Sequence, residues 1–364
     1  MERTLSSKQL MALSFVSLLS PFLRLIPGAV TSAAGSASWV SAALSAVPIS
    51  LLSTLLTALF RQFPKDTGLA EAVLKLLGRF PGSLLLSLWA LWLVFHSGFL
   101  LCSGADRFIA TIYPGIKPTI FIWVTAALCL IAALGTVKSI ARASELFRPI
   151  LLAVILAVLF FSLQEVEPTF LLPVTPKQTT EIIKGIPLAA EAAGVVLVNS
   201  AFLAKYLAPE TNSRSRVPWL TGVTALSVLL CITAVGSLGK TYVSAVSYPF
   251  FIMARDLSIF SGVERIEALV VGLWLLPDFV LITVELMIVS DILLQITKPN
   301  DFESARRVWV ILGCILAVFI AFRIAPDSQS LVRWSEFLIP AIHLGWAYLI
   351  IPLLWIFSAV RKKF

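Results

Sequence analysis

The sequence predicts an all-α integral membrane protein: ten transmembrane helices in two inverted five-helix repeats, with helices one and six broken. Three observations lead there. Of 364 residues, 59% are apolar and 13% charged, with a mean hydropathy of +0.95; soluble proteins are roughly a quarter charged. The apolar residues gather into ten runs, each near the roughly 20 residues that cross a bilayer as a helix. Lys and Arg divide unevenly between alternate loops. These features exclude a soluble single domain, a disordered chain and a coiled coil. The net charge of +8 does not imply nucleic acid, because the basic residues form no compact stripe.

In chain order the runs are 8–26, 39–60, 82–102, 119–137, 147–163, 182–206, 219–239, 266–296, 308–323 and 337–358. They make a single transmembrane domain over 1–364. Repeat one covers about 8–163; repeat two covers about 182–323, with helices six to ten ending near 358. The first run, with Arg3 and Lys8 ahead of it, has the outline of a signal peptide, but Arg24 and Pro27-Gly28 interrupt that pattern. With the N-terminus inside, 18 Lys and Arg fall on the cytoplasmic side and 9 on the other, with Arg24 left inside a span. This bias puts both termini in the cytoplasm. The basic tail Arg361-Lys362-Lys363 suits contact with anionic lipid.

Runs one and six are irregular. Run one carries Pro21, then Arg24, then Pro27-Gly28; run six carries Pro187, then Glu191 and Gly194. Proline removes a backbone donor and clashes with the preceding turn. Interrupted segments at matching places in two halves point to a transporter-type site at the midplane. The alternative is a pair of merely kinked helices.

Charges inside a bilayer cost about 2.5–3.5 kcal/mol each on insertion scales, so each needs a reason. Arg24 and Glu191 stand beside the two expected breaks and would pair if helices one and six pack together. Together with Ser20, Pro21 and Gly194 they are the candidate ligand-binding residues. Run eight carries Asp278 and Glu285 seven residues apart on one helical face, with Asp291 beyond. Asp278 and Glu285 are the candidate ion path. His96 and His343 read as hydrogen-bonded helix contacts. Cys102, Cys129, Cys231 and Cys314 lie singly in apolar sequence and read as core residues. No metal or cofactor is expected, and no HExxH or GxSxG motif marks an enzyme. Between runs seven and eight, the segment 240–262 reads as a short surface helix lidding the cavity. Ser261-Gly262-Val263-Glu264 opens run eight as a capping box.

The residues of this stretch resemble a known family. Tyr248-Pro249-Phe250-Phe251, Met253-Ala254-Arg255, and Glu264-Arg265-Ile266-Glu267-Ala268-Leu269 followed by an apolar run with Trp274 are similar to the spore germination permeases. Ser6, Gln9, Leu10 and Pro27 add to the resemblance, which covers nearly the whole chain. These permeases are the integral-membrane B subunits of endospore nutrient receptors, within the amino acid–polyamine–organocation transporter superfamily. The resemblance implies a two-repeat fold with broken helices one and six and a ligand site between them. It implies a nutrient ligand, amino acid-like, and two partners, a larger A subunit and a lipoprotein C subunit, in the inner membrane of the spore. Glu191 matches the acidic residue of the family's Gly-Phe-Glu segment, here preceded by Ala189-Ala190. Ser20-Pro21-Phe22 replaces the family's glycine-rich stretch in helix one. Two functions compete: a ligand-sensing receptor subunit, and a proton-coupled amino acid transporter using Glu191, Asp278 or Glu285.

Overall fold

The computed structural model describes residues 5–111, 117–208, 216–246, 248–256, 266–324, 331 and 333–361. Among these the chain is helical, with no strand; a single bridge joins Leu5 to Leu207. Eight helices are long and apolar enough to cross a membrane. The protein is an integral, multi-pass membrane protein. Its outward faces agree: Ile131, Phe160, Val217, Ile315 and Leu349 are large apolar residues left exposed, where a lipid environment would receive them.

The ten expected runs all fall on helical segments, with two differences in how they are joined. Runs one and two share one helical stretch, Ser7–Phe60, of 54 residues. Within it lie α1 (Ser7–Leu25), a π turn (Ile26–Val30), α2 (Thr31–Ala34), α3 (Ser38–Leu44) and α4 (Ala46–Phe60). The direction changes at Gly35, whose φ of 56° suits a residue without Cβ. Run four is α7 (Pro118–Leu134), which at 17 residues is shorter than the other candidates.

The remaining elements follow in order. A short α5 (Leu69–Leu77) precedes α6 (Arg79–Thr111), and α8 (Val137–Ser162) and a one-turn α9 (Pro168–Leu171) follow α7. Then come α10 (Thr179–Phe202), α11 (Arg216–Leu238), α12 (Lys240–Ala245), α13 (Pro249–Asp256), α14 (Ile266–Thr297) and α15 (Phe302–Ile324). The last run is α16 (Ile339–Gly345) and α17 (Ile351–Arg361), with π turns at Trp334–Leu338 and Trp346–Ile350.

The first α-turn already explains one motif. Ser6 accepts from the backbone N–H of Gln9 at 3.2 Å, and the Gln9 side chain accepts from the Ser6 N–H at 3.1 Å. The Ser-x-x-Gln pattern is therefore a capping box that starts α1.

The expected breaks need correction. α1 runs through Pro21 to Leu25, and its departure from α geometry is the π turn that contains Pro27 and Gly28. α10 is helix throughout, with Pro187 inside it. A proline deletes one backbone bond, and neighbouring helices can satisfy the carbonyls nearby. Ser41 on α3 supports the turn before Pro187, donating to the Ile182 carbonyl at 2.9 Å, next to the Ile183 carbonyl that Pro187 leaves without its helical donor. Close packing supports the same turn: a Cβ at Gly185 would sit 2.6 Å from Ser41 Oγ.

α1 packs against α8, α10 and α14, and α6 packs against α14 and α15. The interior is thus bounded by α1, α6, α10, α14 and α16. The four cysteines are free and buried, as core residues should be.

Candidate functional site

The interior holds more charge than an apolar core tolerates without partners. α14 organises it. Asp278, Glu285 and Asp291 lie along about 20 Å of this helix, at about 1.5 Å per residue. Each carboxylate meets a different partner.

Asp278, 2% exposed, forms an ion pair with Arg107 of α6 and accepts from the Ser20 hydroxyl of α1. The Arg107 guanidinium also stacks over Trp274, 4.5 Å from the ring centre. Gly104 makes room for this contact, since a Cβ there would lie 3.2 Å from Asp278 Oδ2.

Glu285 is fully buried and accepts from Ser97 at 2.8 Å; its other oxygen lies 2.7 Å from His96 Nδ1. The His96 ring meets His343 of α16 edge-on, centroids 4.8 Å apart. His343 Nδ1 bonds Glu191 of α10. Two carboxylates on α14 and α10 are thereby joined through two histidines on α6 and α16.

Asp291, toward the far end of α14, pairs with Lys205, which lies beyond the end of α10. Glu71 of α5 stands 3.9 Å from Lys205 and accepts from Gln295 at 3.0 Å. Burial pushes the Glu71 carboxyl above its ordinary range, against the pull of Lys205.

Arg24 differs from all of these. It is 6% exposed, and none of its three guanidinium nitrogens has a hydrogen-bond partner among the described residues. It lies over the face of Phe99, 4.8 Å from the ring centre. It lines a cavity of about 50 Å³ beside the π turn of the first helical stretch. Phe99, Ser103 and Asp106 of α6 form one wall, Ser244, Val246 and Tyr248 another, and Ser335 and Glu336 of the last run a third. Of the segment after α11, Ser244 of α12 and Val246 and Tyr248 before α13 line the cavity. Glu264, Arg265 and the capping box Ser261–Glu264 lie outside the described residues, as do Lys362 and Lys363 of the tail.

The expected residues distribute as follows. Ser20, Asp278 and Glu285 are buried on the walls of this interior, and Arg24 is at the cavity itself. Arg24 does not hydrogen-bond Glu191, whose partner is His343. Pro21 is buried within α1. Gly194 faces the last run: a Cβ there would lie 2.8 Å from Tyr348. The Tyr348 hydroxyl donates to the Ala190 carbonyl at 3.0 Å, so this part of α10 is fixed by packing. Sequence reasoning missed Arg107, His96 and His343 as members of the charged interior. The charge count placed Arg107 in a loop, but α6 extends to Thr111. The histidines did read as hydrogen-bonded helix contacts; their partners, both site carboxylates, were not foreseen.

Comparison with known proteins gives the family. A family model described as spore germination protein matches residues 4–330. The chain belongs to the spore germination permease family. Spore germination protein XB of Bacillus anthracis is 25% identical over 231 residues, 62% of each chain. The match therefore spans less than two thirds of that relative's length. Among solved structures, MhsT in complex with L-phenylalanine superposes with a TM-score of 0.63 at 14% identity, covering 98% of this chain and 96% of that one. Mhp1, a nucleobase-cation-symport-1 family transporter in a closed conformation with bromovinylhydantoin bound, gives 0.54 at 16% identity, covering 94% and 76%. At such identities the likeness concerns the fold alone. The family is one of permeases, and Mhp1 is a transporter.

Proposed function

We propose that this chain is the nutrient-sensing membrane subunit of a spore germinant receptor, binding a small, amino acid-like molecule through a carboxylate at Arg24. The observation that carries this reading is the Arg24 guanidinium, buried beside a cavity with no acceptor among the described residues. A buried charge without a partner is costly, and a ligand carboxylate would supply one in the bidentate geometry arginine favours. The small cavity suits a small ligand or a closed state that opens further to admit one. Ligand binding changes a signal only through unequal affinity for two states. The lid formed by α12 and α13 and the π turn beside Arg24 are the elements that would differ between them.

In this reading the chain crosses the membrane ten times as two inverted repeats of five helices. Runs one and two count separately, α7 counts as a span, and both termini are cytoplasmic. The site lies between helices one, three, six and eight. The membrane is the inner membrane of the spore, and the partners are a larger A subunit and a lipoprotein C subunit. Family membership supports this placement, and the inside-positive count supports the orientation.

The test is nutrient-triggered germination of spores carrying Arg24→Ala at normal abundance. A lost charge-assisted contact is worth about 1.5–3 kcal/mol, so the half-effective nutrient concentration should rise about ten- to hundredfold. An unchanged dose response would remove Arg24 from the site. A second reading, a proton-coupled amino acid transporter, is favoured by the buried carboxylates of α10 and α14. Proton-driven accumulation of an amino acid by the chain alone in proteoliposomes would establish it over the first.

A further inference from the structure

The charged interior is not electrically balanced. Among the described residues Arg24 and Arg107 are its buried cations, while Asp278, Glu191 and Glu285 are buried carboxylates and Asp106 and Glu336 add two more at the cavity wall. Lys205 belongs to the separate cluster at the far end of α14. With the carboxylates ionised and both histidines neutral, negative charge is in excess where compensation by solvent is weak.

The histidines are built to take that charge up. Each has Nδ1 on a carboxylate, and each has a buried Nε2 with no hydrogen-bond partner among the described residues. If Nδ1 carries the proton toward the carboxylate, Nε2 is left as an open basic position. With centroids 4.8 Å apart, two imidazolium rings would repel, so the pair holds one added proton and not two.

The pair is also connected to the cavity. Arg24 lies over the Phe99 ring, Phe99 lies parallel to His96 with centroids 6.3 Å apart, and His96 meets His343. Among the described residues the charged groups facing the pair are Glu285 and Asp278 from α14, Glu191 from α10 and Arg24 from α1, and the Trp92 ring of α6 packs against both imidazoles.

From this arrangement we infer that His96 and His343, with Glu285 and Glu191, form a buried one-proton site whose occupancy is controlled by the charge at Arg24. An anion that neutralises Arg24 adds one charge to that negative excess, and the site answers by taking one proton. The proton comes from the aqueous phase, adds to an imidazole nitrogen, and returns when the anion leaves; no other bond changes. This rests on the Arg24 reading above for its physiological trigger, but the site itself can be tested without any ligand.

The chain contains two histidines in all, so imidazole signals report on this pair alone. The experiment is nitrogen NMR of histidine-labelled full-length protein in proteoliposomes, titrated from about pH 4 to about pH 9, a range that brackets the ordinary histidine value. One imidazolium per chain is expected at the acid end. In Arg24→Gln the midpoint should rise by about one pH unit, a tenfold gain in proton affinity. Arg24→Lys, which keeps the charge, should leave it near the wild-type value, and Glu191→Gln should lower it. Histidines that stay neutral throughout overturn the proposal. So does a midpoint that ignores Arg24→Gln, or one that moves equally in Arg24→Lys. An intact titration shift with unchanged germination in Arg24→Ala would sink the ligand reading and leave the proton site standing.

Discussion

Arg107 and Arg24 are both buried in the same membrane interior, on neighbouring helices, and they are treated in opposite ways. Arg107 is paired with Asp278 and stacked on Trp274. Arg24 lies over the face of Phe99 and has no hydrogen-bond partner among the described residues. A protein fold that needed both cations for stability would have paired both. The contrast teaches that the Arg107 region is finished by folding, whereas the proposed function has the Arg24 region completed by a ligand. The far end of α14 resembles the first kind, with Lys205 shared between Asp291 and Glu71.

The comparison breaks most easily at Arg107. Arg107→Ala leaves Asp278 buried and without its cation, and removing one partner of a buried pair costs about 3–5 kcal/mol. Thermal unfolding in detergent should show a large loss of stability. Adding Asp278→Asn to that variant should recover part of it, because the uncompensated charge is gone. A silent Arg107→Ala would mean that burial and pairing do not separate the two arginines.

A second effect sharpens the boundary of the open region. Gly194→Ala sets a methyl group 2.8 Å from a Tyr348 ring carbon, closer than carbon atoms pack. Overpacking of this kind costs about 1–3 kcal/mol. Lowered thermal stability, with Tyr348→Leu restoring it in the double variant, would mark Gly194 as a packing residue. A loss of nutrient response at full stability would instead bring it into the ligand site.

The third effect is smaller. Lys205→Met removes the cation from Asp291 and Glu71 at a place where Glu71 keeps some access to solvent. The expected cost is about 1–2 kcal/mol, between the values for exposed and buried pairs. A cost as large as that of Arg107→Ala would show the far cluster to be as dry as the near one.

What could be read in advance divides along physical lines. The apolar runs were legible because a bilayer sets a minimum length that composition alone reveals. Asp278, Glu285, Glu191 and Arg24 were legible because a charge in an apolar run is costly wherever its partner lies. The partners were not legible. Which basic group meets Asp278 depends on how far α6 continues and on its rotation against α14, both fixed by tertiary packing. His96 and His343 are 247 positions apart in sequence, and nothing local announces that α6 and α16 bring their rings together. The proline breaks failed for a related reason. Pro21 and Pro187 announce a lost backbone bond, but whether a helix unwinds depends on neighbours such as Ser41 that satisfy carbonyls close by.

The smallest effect on stability is expected at Arg24, and it is the one that decides the comparison. Arg24→Leu removes a buried charge that has no acceptor among the described residues, so the folded protein loses a cost and a cation–π contact together. Such contacts are worth about 0.5–2 kcal/mol, and relief from desolvation is of similar or larger size. The unfolding midpoint should therefore stay unchanged or rise slightly, while the nutrient response falls. The pairing of no change in stability with a loss of response is what a group completed by ligand produces. If Arg24→Leu instead destabilises the chain as Arg107→Ala does, Arg24 already has the partners it needs, and the cavity beside it is a packing defect. Measuring both arginines in one series, at equal expression, separates these outcomes without knowledge of the nutrient.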